Sequence, residues 1–251
     1  MLRALALLAW LGAMGVWGVA QAAGTMRDCA ECPEMVTVPA GSFMMAGAGG
    51  NHKVTFSRPF ALSSTLITQA QWKAIMGKNP SEFKDCGSAC PVENISWDDA
   101  QIFILKLNAK TGKHYRLPTE SEWEYACHAG TIATYCGGNN LDELAWYEGN
   151  SGNRPHPVGT KKPNAWGLYD MSGNVWEWVE DCYHENLDKG PVNGAAWEQS
   201  TYPQFTDTCL SRVLRGGSWH NAPQDVAATR RSADDPSVRV HSVGFRLARS
   251  L

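Results

Sequence analysis

Three stretches of the chain repeat apolar residues at helical spacing, and each carries its own start and stop signals. Thr68 stands before "QAQWKAIM" and Gly77 follows it. Ser96 precedes "WDDAQIFILKLNAK", where Trp97, Ala100, Ile104 and Leu107 fall on one face, Asp99 takes the third helical position and Gly112 lies beyond the end. Thr119 opens "ESEWEYACHA" with Glu122 placed to complete a capping box. These signals predict helices over 69–76, 97–110 and 120–129. Strands are predicted in "MVTVPAGSFMMA" (35–46) and "HKVTFSRPFALSS" (52–64), with a glycine-rich turn at Gly47 to Gly50 between them. Past Gly130 the chain is short-patterned and turn-punctuated, with no helical pattern of useful length. No internal repeat and no linker interrupts residues 23–251, which read as one α+β domain.

The first 22 residues follow a different rule. Met1-Leu2-Arg3 is a short basic start, an uncharged apolar run follows, and Ala20-Gln21-Ala22 presents small residues for cleavage. That is the layout of a secretory signal peptide, residues 1–22. The run is short for a bilayer span, and no cysteine stands at the cleavage point to carry a lipid. The mature chain is therefore expected to be periplasmic or secreted, monomeric, and without a stable membrane span after signal cleavage.

Composition sharpens this picture. A net charge of −3 without any basic block argues against nucleic acid as a partner. Eleven Trp and seven Tyr, with 24 Gly and 13 Pro, point to a loop-rich fold locked by amphipathic rings. The eight cysteines, in an exported chain, read as disulfides. Proximity suggests Cys29–Cys32, Cys86–Cys90, Cys127–Cys136 and Cys182–Cys209, the last closing a loop of roughly 28 residues worth about 3–4 kcal/mol. A redox pair at Cys29 and Cys32, or a four-thiolate zinc site formed with Cys86 and Cys90, is the alternative.

Several longer phrases carry a resemblance. "MVTVPAGSFMM", "ITQAQWKAIM", "CPVENISWDDA", "YRLPTESEWEYACHAG", "AWGLYDMSGNVWEWVEDC", "RVLRGGSW" and "VGFRLAR" occur in one order along the chain. Together they resemble the formylglycine-generating enzyme, or sulfatase-modifying factor, family over essentially the whole mature chain. The resemblance implies a single loop-rich domain of C-type-lectin-like topology with little regular secondary structure.

It also implies a chemistry whose ligands are missing here. Members that make formylglycine hold copper(I) on two cysteines, five residues apart, just after Gly-Gly-Ser. Those positions fall on Asn221 and Val226. An amide and an isopropyl group do not replace two thiolates around a soft ion. Iron, as in related sulfoxide synthases, would need a His-x-x-x-His-x-Glu motif, yet the two histidines closest in sequence are His114 and His128. A triad from distant residues such as His220 and Asp225 is the remaining metal reading. Ser218 belongs to the family's framework and lacks an identifiable histidine–acid pair. The candidate groove residues are thus Ser218, Trp219, His220, Asn221 and Arg230.

Two further features follow. The resemblance places a structural calcium on Asp170, the carbonyls of Gly173 and Val175, and Glu177, a hard-oxygen set suited to that ion. Arg215, Arg230, Arg231, Arg239 and Arg246 either line a groove for carboxylates or peptide carbonyls, or pair with acids such as Asp234 and Asp235. Three functional readings stay open. The first is an oxidoreductase-like maturation factor acting on a peptide or peptide-derived substrate, similar to the family branch beside periplasmic siderophore (pyoverdine) maturation. The second is a non-catalytic ligand-binding module, as in variable proteins of diversity-generating retroelements, whose variable region corresponds to His220–His241. The third is formylglycine generation by homology.

Overall fold

The computed structural model describes residues 24–47, 50–199 and 209–251; the signal peptide expected over residues 1–22 lies outside the described residues. Helices α1 (Gln69–Met76), α2 (Trp97–Thr111) and α3 (Glu120–His128) begin where their capping residues stand. The hydroxyls of Thr68, Ser96 and Thr119 each accept the N3 backbone N–H, while Gln71, Asp99 and Glu122 accept the cap N–H in return. Gly77 and Gly112 then end α1 and α2 in the left-handed conformation. A single turn, α4 (Leu141–Leu144), follows later.

Each strand predicted from the sequence is in fact two. The first half of the chain supplies β1 (Thr25–Met26), β2 (Met35–Val38), β3 (Gly41–Met45), β4 (His52–Phe56), β5 (Phe60–Ser63) and β6 (Tyr115–Arg116). The second half supplies β7 (Trp176–Cys182), β8 (Arg212–Arg215), β9 (Arg231–Asp234), β10 (Val243–Phe245) and β11 (Ala248–Ser250). Pro39 parts β2 from β3 and Pro59 parts β4 from β5, because proline has no N–H to give a ladder. The halves then go to different sheets. β3 and β4 form a separate hairpin, while β2 and β5 join a sheet of order β1-β2-β5-β11-β6. The other sheet runs β10-β7-β8-β9, with β10 parallel to β7.

Aromatic packing holds these layers together. Trp72 stacks on Phe103 at 5.3 Å, and Phe245 meets both edge-on, joining α1, α2 and β10. Trp123 and Trp178 are fully buried. Helix α3 lies so deep that Glu120, Glu122 and Glu124 are buried along with its apolar residues. All four disulfides form as proximity suggested, with no free cysteine among the described residues. The four-thiolate zinc alternative is therefore corrected: Cys29–Cys32 and Cys86–Cys90 are closed bonds, with Cα separations of 4.9 and 6.0 Å. Among the described residues no helix is long and apolar enough to cross a membrane.

Candidate functional site

The segment after β8 shows why it opens with two glycines. Gly216 and Gly217 both take left-handed backbone, with φ of 92° and 74°. A Cβ on Gly217 would also stand 2.6 Å from Val226 Cγ1 and 2.7 Å from the Asp225 carbonyl. The chain then closes a small turn. The amide oxygen of Asn221 accepts the Ser218 N–H at 3.0 Å and the Ser218 hydroxyl at 2.6 Å, and the Asn221 N–H returns to the Ser218 carbonyl. Trp219 is pinned from both sides: its N–H donates to the Asn174 carbonyl and its carbonyl accepts the Ser151 hydroxyl at 2.7 Å.

Ser218, Trp219, His220 and Asn221 share this turn in unequal roles. Ser218 is fully buried; its hydroxyl lies 3.1 Å from His220 Nδ1 with no acid completing a triad. His220 is exposed, and burial of its inner edge followed by the nearby His241 holds its imidazole below the usual range. Two residues that sequence spacing could not reveal join it. Phe83 meets the Trp219 ring edge-on at 5.5 Å, and His241 lies 5.7 Å from Trp219 and 6.4 Å from His220. Glu82 Oε2 stands 3.8 Å from His241 Nδ1. The Trp219 indole N–H is buried without a hydrogen-bond partner among the described residues. This is an aromatic, imidazole-rimmed surface able to hold a ligand through rings and hydrogen bonds.

The positions of the family's copper ligands are occupied by residues with other tasks. Asn221 is the acceptor that closes the turn. Val226 is fully buried against Leu141 and Ala145 and fills the space beside Gly217. The two residues of the His220–Asp225 metal reading have other neighbours: His220 lies beside Ser218 and His241. Asp225 pairs with Arg230 at 3.1 Å, and among the described residues no three His, Cys, Asp or Glu side chains gather as a metal cluster.

Of the two arginine readings, the five guanidiniums follow the pairing one: each has a carboxylate partner, and Arg215 and Arg231 share Glu120. Arg215, fully buried, donates to Glu120 at 2.9 Å, to Glu124 at 2.7 Å and to the Ala228 carbonyl. Arg231 clasps Glu120 with two bonds, and Arg239 clasps Asp99 in the same way. Arg230 is exposed on its Asp225 pair. The partners are Glu120 and Glu124 of α3, Asp99 of α2, Asp225, and Glu177 of β7, not Asp234 and Asp235.

Asp170, Gly173 and Val175 lie on the segment that enters β7 and Glu177 is that strand's second residue; Asp170 and Glu177 are both buried near Arg246. Arg246 donates to both oxygens of Glu177, at 2.6 and 3.0 Å, in a fully buried pair. Asp170 is buried, accepting the Gly159 N–H at 2.7 Å and, more distantly, the Asn174 amide. Burial pushes its carboxyl above the usual range, against the Gly159 bond and the Arg246 charge. Two buried carboxylates thus face one guanidinium, a charge balance that a hard cation fits.

Comparisons with known proteins agree with this architecture. The family described as "Sulfatase-modifying factor enzyme 1-like domain" matches residues 21–251. The chain is 28% identical to a chaperone protein, LppX, of Paenibacillus barcinonensis, over 91% of this chain and 94% of that protein. It is 33% identical to the formylglycine-generating enzyme of Mycobacterium tuberculosis over 72% of this chain, spanning 63% of that enzyme. The solved structure of PvdO from Pseudomonas aeruginosa superposes with a TM-score of 0.81 at 30% identity, covering 93% of this chain and 100% of that one. The chain belongs to the sulfatase-modifying factor, or formylglycine-generating enzyme, family.

Proposed function

We propose that this chain is an exported, periplasmic member of the family that serves maturation by holding a peptide or peptide-derived substrate, without copper–cysteine conversion of cysteine to formylglycine. One observation carries the reading: the two copper-ligand positions are Asn221, which closes a turn, and Val226, which is core. Neither offers a thiolate, so oxidation of the held substrate would need a redox centre assembled elsewhere. The holding surface is Trp219, Phe83, His220 and His241, whose rings can stack and whose imidazoles can donate or accept. The likeness to LppX, whose name calls it a chaperone, supports a binding role.

A structural calcium forms part of the same reading. The carboxylates of Asp170 and Glu177 with the Gly173 and Val175 carbonyls would hold it, adding the charge that the buried Asp170 lacks. It would brace the loop that carries Asn174, the acceptor for Trp219.

Elemental analysis of the mature chain, purified from the periplasm without chelator, tests both parts. Calcium alone is expected, lost in Asp170→Asn. One copper or iron per chain, lost in His220→Ala, would overturn the holding reading in favour of a redox enzyme. On an array of immobilised peptides, retained binding should fall in the His220→Ala/His241→Ala double variant. Binding unchanged in that variant would move the substrate elsewhere.

A further inference from the structure

A second recess lies away from the turn at 218–221. The hairpin β3–β4, the last turn of α3 and the loop after it enclose a cleft of about 620 Å3, within the size range of small-molecule sites. None of its lining residues is Asp, Glu, Lys or Arg. Its only titratable imidazole, His128, is held below the usual range by burial, opposed by Glu124 at 4.0 Å, and so is neutral near pH 7.

The floor is aromatic. Phe43 and Tyr125 lie 5.4 Å apart and Phe43 and His128 6.3 Å apart, each pair tilted. Tyr125 is fixed from behind by Phe56 at 4.8 Å and Trp166 at 5.0 Å. A methyl group on Gly41 would overlap its hydroxyl, so glycine there lets the phenol sit flush against β3. That residue is more than nine-tenths buried, yet its hydroxyl makes no hydrogen bond among the described residues. On the rim, Ile132 is fully exposed and Met44 about half exposed, two apolar side chains left in water beside an apolar recess. Ser42 and Thr229 also line the recess, and their hydroxyls make no hydrogen bond among the described residues.

We infer that this cleft binds a small uncharged aromatic molecule carrying one hydroxyl, its ring against Phe43 and its hydroxyl on Tyr125. An ionised ligand would find no opposite charge in the lining and would have to shed its water. A sugar could use the lining hydroxyls and Asn51 but would leave Ile132 and Met44 in water and the Phe43 ring without an apolar partner. The site is separate from the surface assigned to the peptide, and its occupancy does not depend on that assignment.

Ligand-observed saturation-transfer NMR on the mature chain, with p-cresol, toluene, benzoate and methyl α-glucoside as probes, tests this. Transfer to the p-cresol ring is expected, with benzoate and the glucoside silent. Thr229→Trp, which fills the cleft from an exposed position, and Ile132→Asp, which charges its mouth, should each weaken p-cresol at least ~10-fold. Unchanged thermal melting would show that both variants remain folded. Tyr125→Phe should narrow the preference for p-cresol over toluene about fivefold, the worth of one hydrogen bond. Silence from p-cresol, equal binding of benzoate or the glucoside, or p-cresol binding untouched by both rim variants would overturn the inference.

Discussion

Arg215 and His220 are five residues apart and differ in nearly every physical respect. Arg215 is sealed from solvent, and its guanidinium is spoken for by two helix carboxylates and a carbonyl. His220 stands in water on a turn held by backbone bonds and one asparagine. The two glycines between them change the direction of the chain from core to surface within a few ångströms. The contrast shows how the scaffold separates its duties. Rigidity resides in charges that cannot be altered singly, whereas the surface turn carries side chains that the core does not need. A family built this way can lose one chemistry at positions 221 and 226 and keep its fold.

The contrast can be broken from the buried side first. Arg215→Met leaves Glu124 buried without its cation and should cost about 3–5 kcal/mol in urea unfolding. The next largest effect is expected from pH. Asp181 is fully buried, and burial first, then the charge of Glu120, push its carboxyl up to about 7. An acid whose pKa is raised by folding holds its proton more tightly in the native state, so the contribution of Asp181 is present at low pH and is lost as pH rises from the usual carboxylate range through about 7. Between pH 5 and 8 this contribution is on the order of 2 kcal/mol, and Asp181→Asn should flatten it.

Moving to the hinge between the regions, Gly217→Ala forces a left-handed alanine against Val226 and should destabilise by about 2–3 kcal/mol. On the surface side, Asn221→Ala removes the acceptor of two bonds and should cost about 1 kcal/mol in the same unfolding assay. Arg230→Ala, an exposed pair, should change stability by less than about 0.5 kcal/mol. A loss for Arg230→Ala as large as that for Arg215→Met would erase the distinction between core and surface charge.

The sequence carried some of this plainly and the rest not at all. Helices α1, α2 and α3 were legible because Thr68, Ser96 and Thr119 are local signals acting over three residues. The disulfides were legible because every pair is the nearest in sequence. The β2–β3 and β4–β5 breaks could have been read from Pro39 and Pro59, had proline been weighed against the alternating pattern. The partners of the arginines could not. Glu120 and Arg231 are 111 residues apart, and nothing in spacing says that an acid on a helix, not one beside Arg231, will meet it. The same holds for Phe83 and His241 around Trp219, which only tertiary packing brings together. Composition suggested a tryptophan-locked fold but not which rings would face a ligand.

The strand β11 has a consequence for how the protein is made. Its residues, Ala248–Ser250, lie between β5 and β6, in the interior of the sheet. A ribosome must therefore have made residues up to Ser250 before this sheet can be zipped shut, and β5 waits with one edge open until β11 follows. The sheet cannot close early, and a nascent chain held in that state stays threadable until β11 arrives.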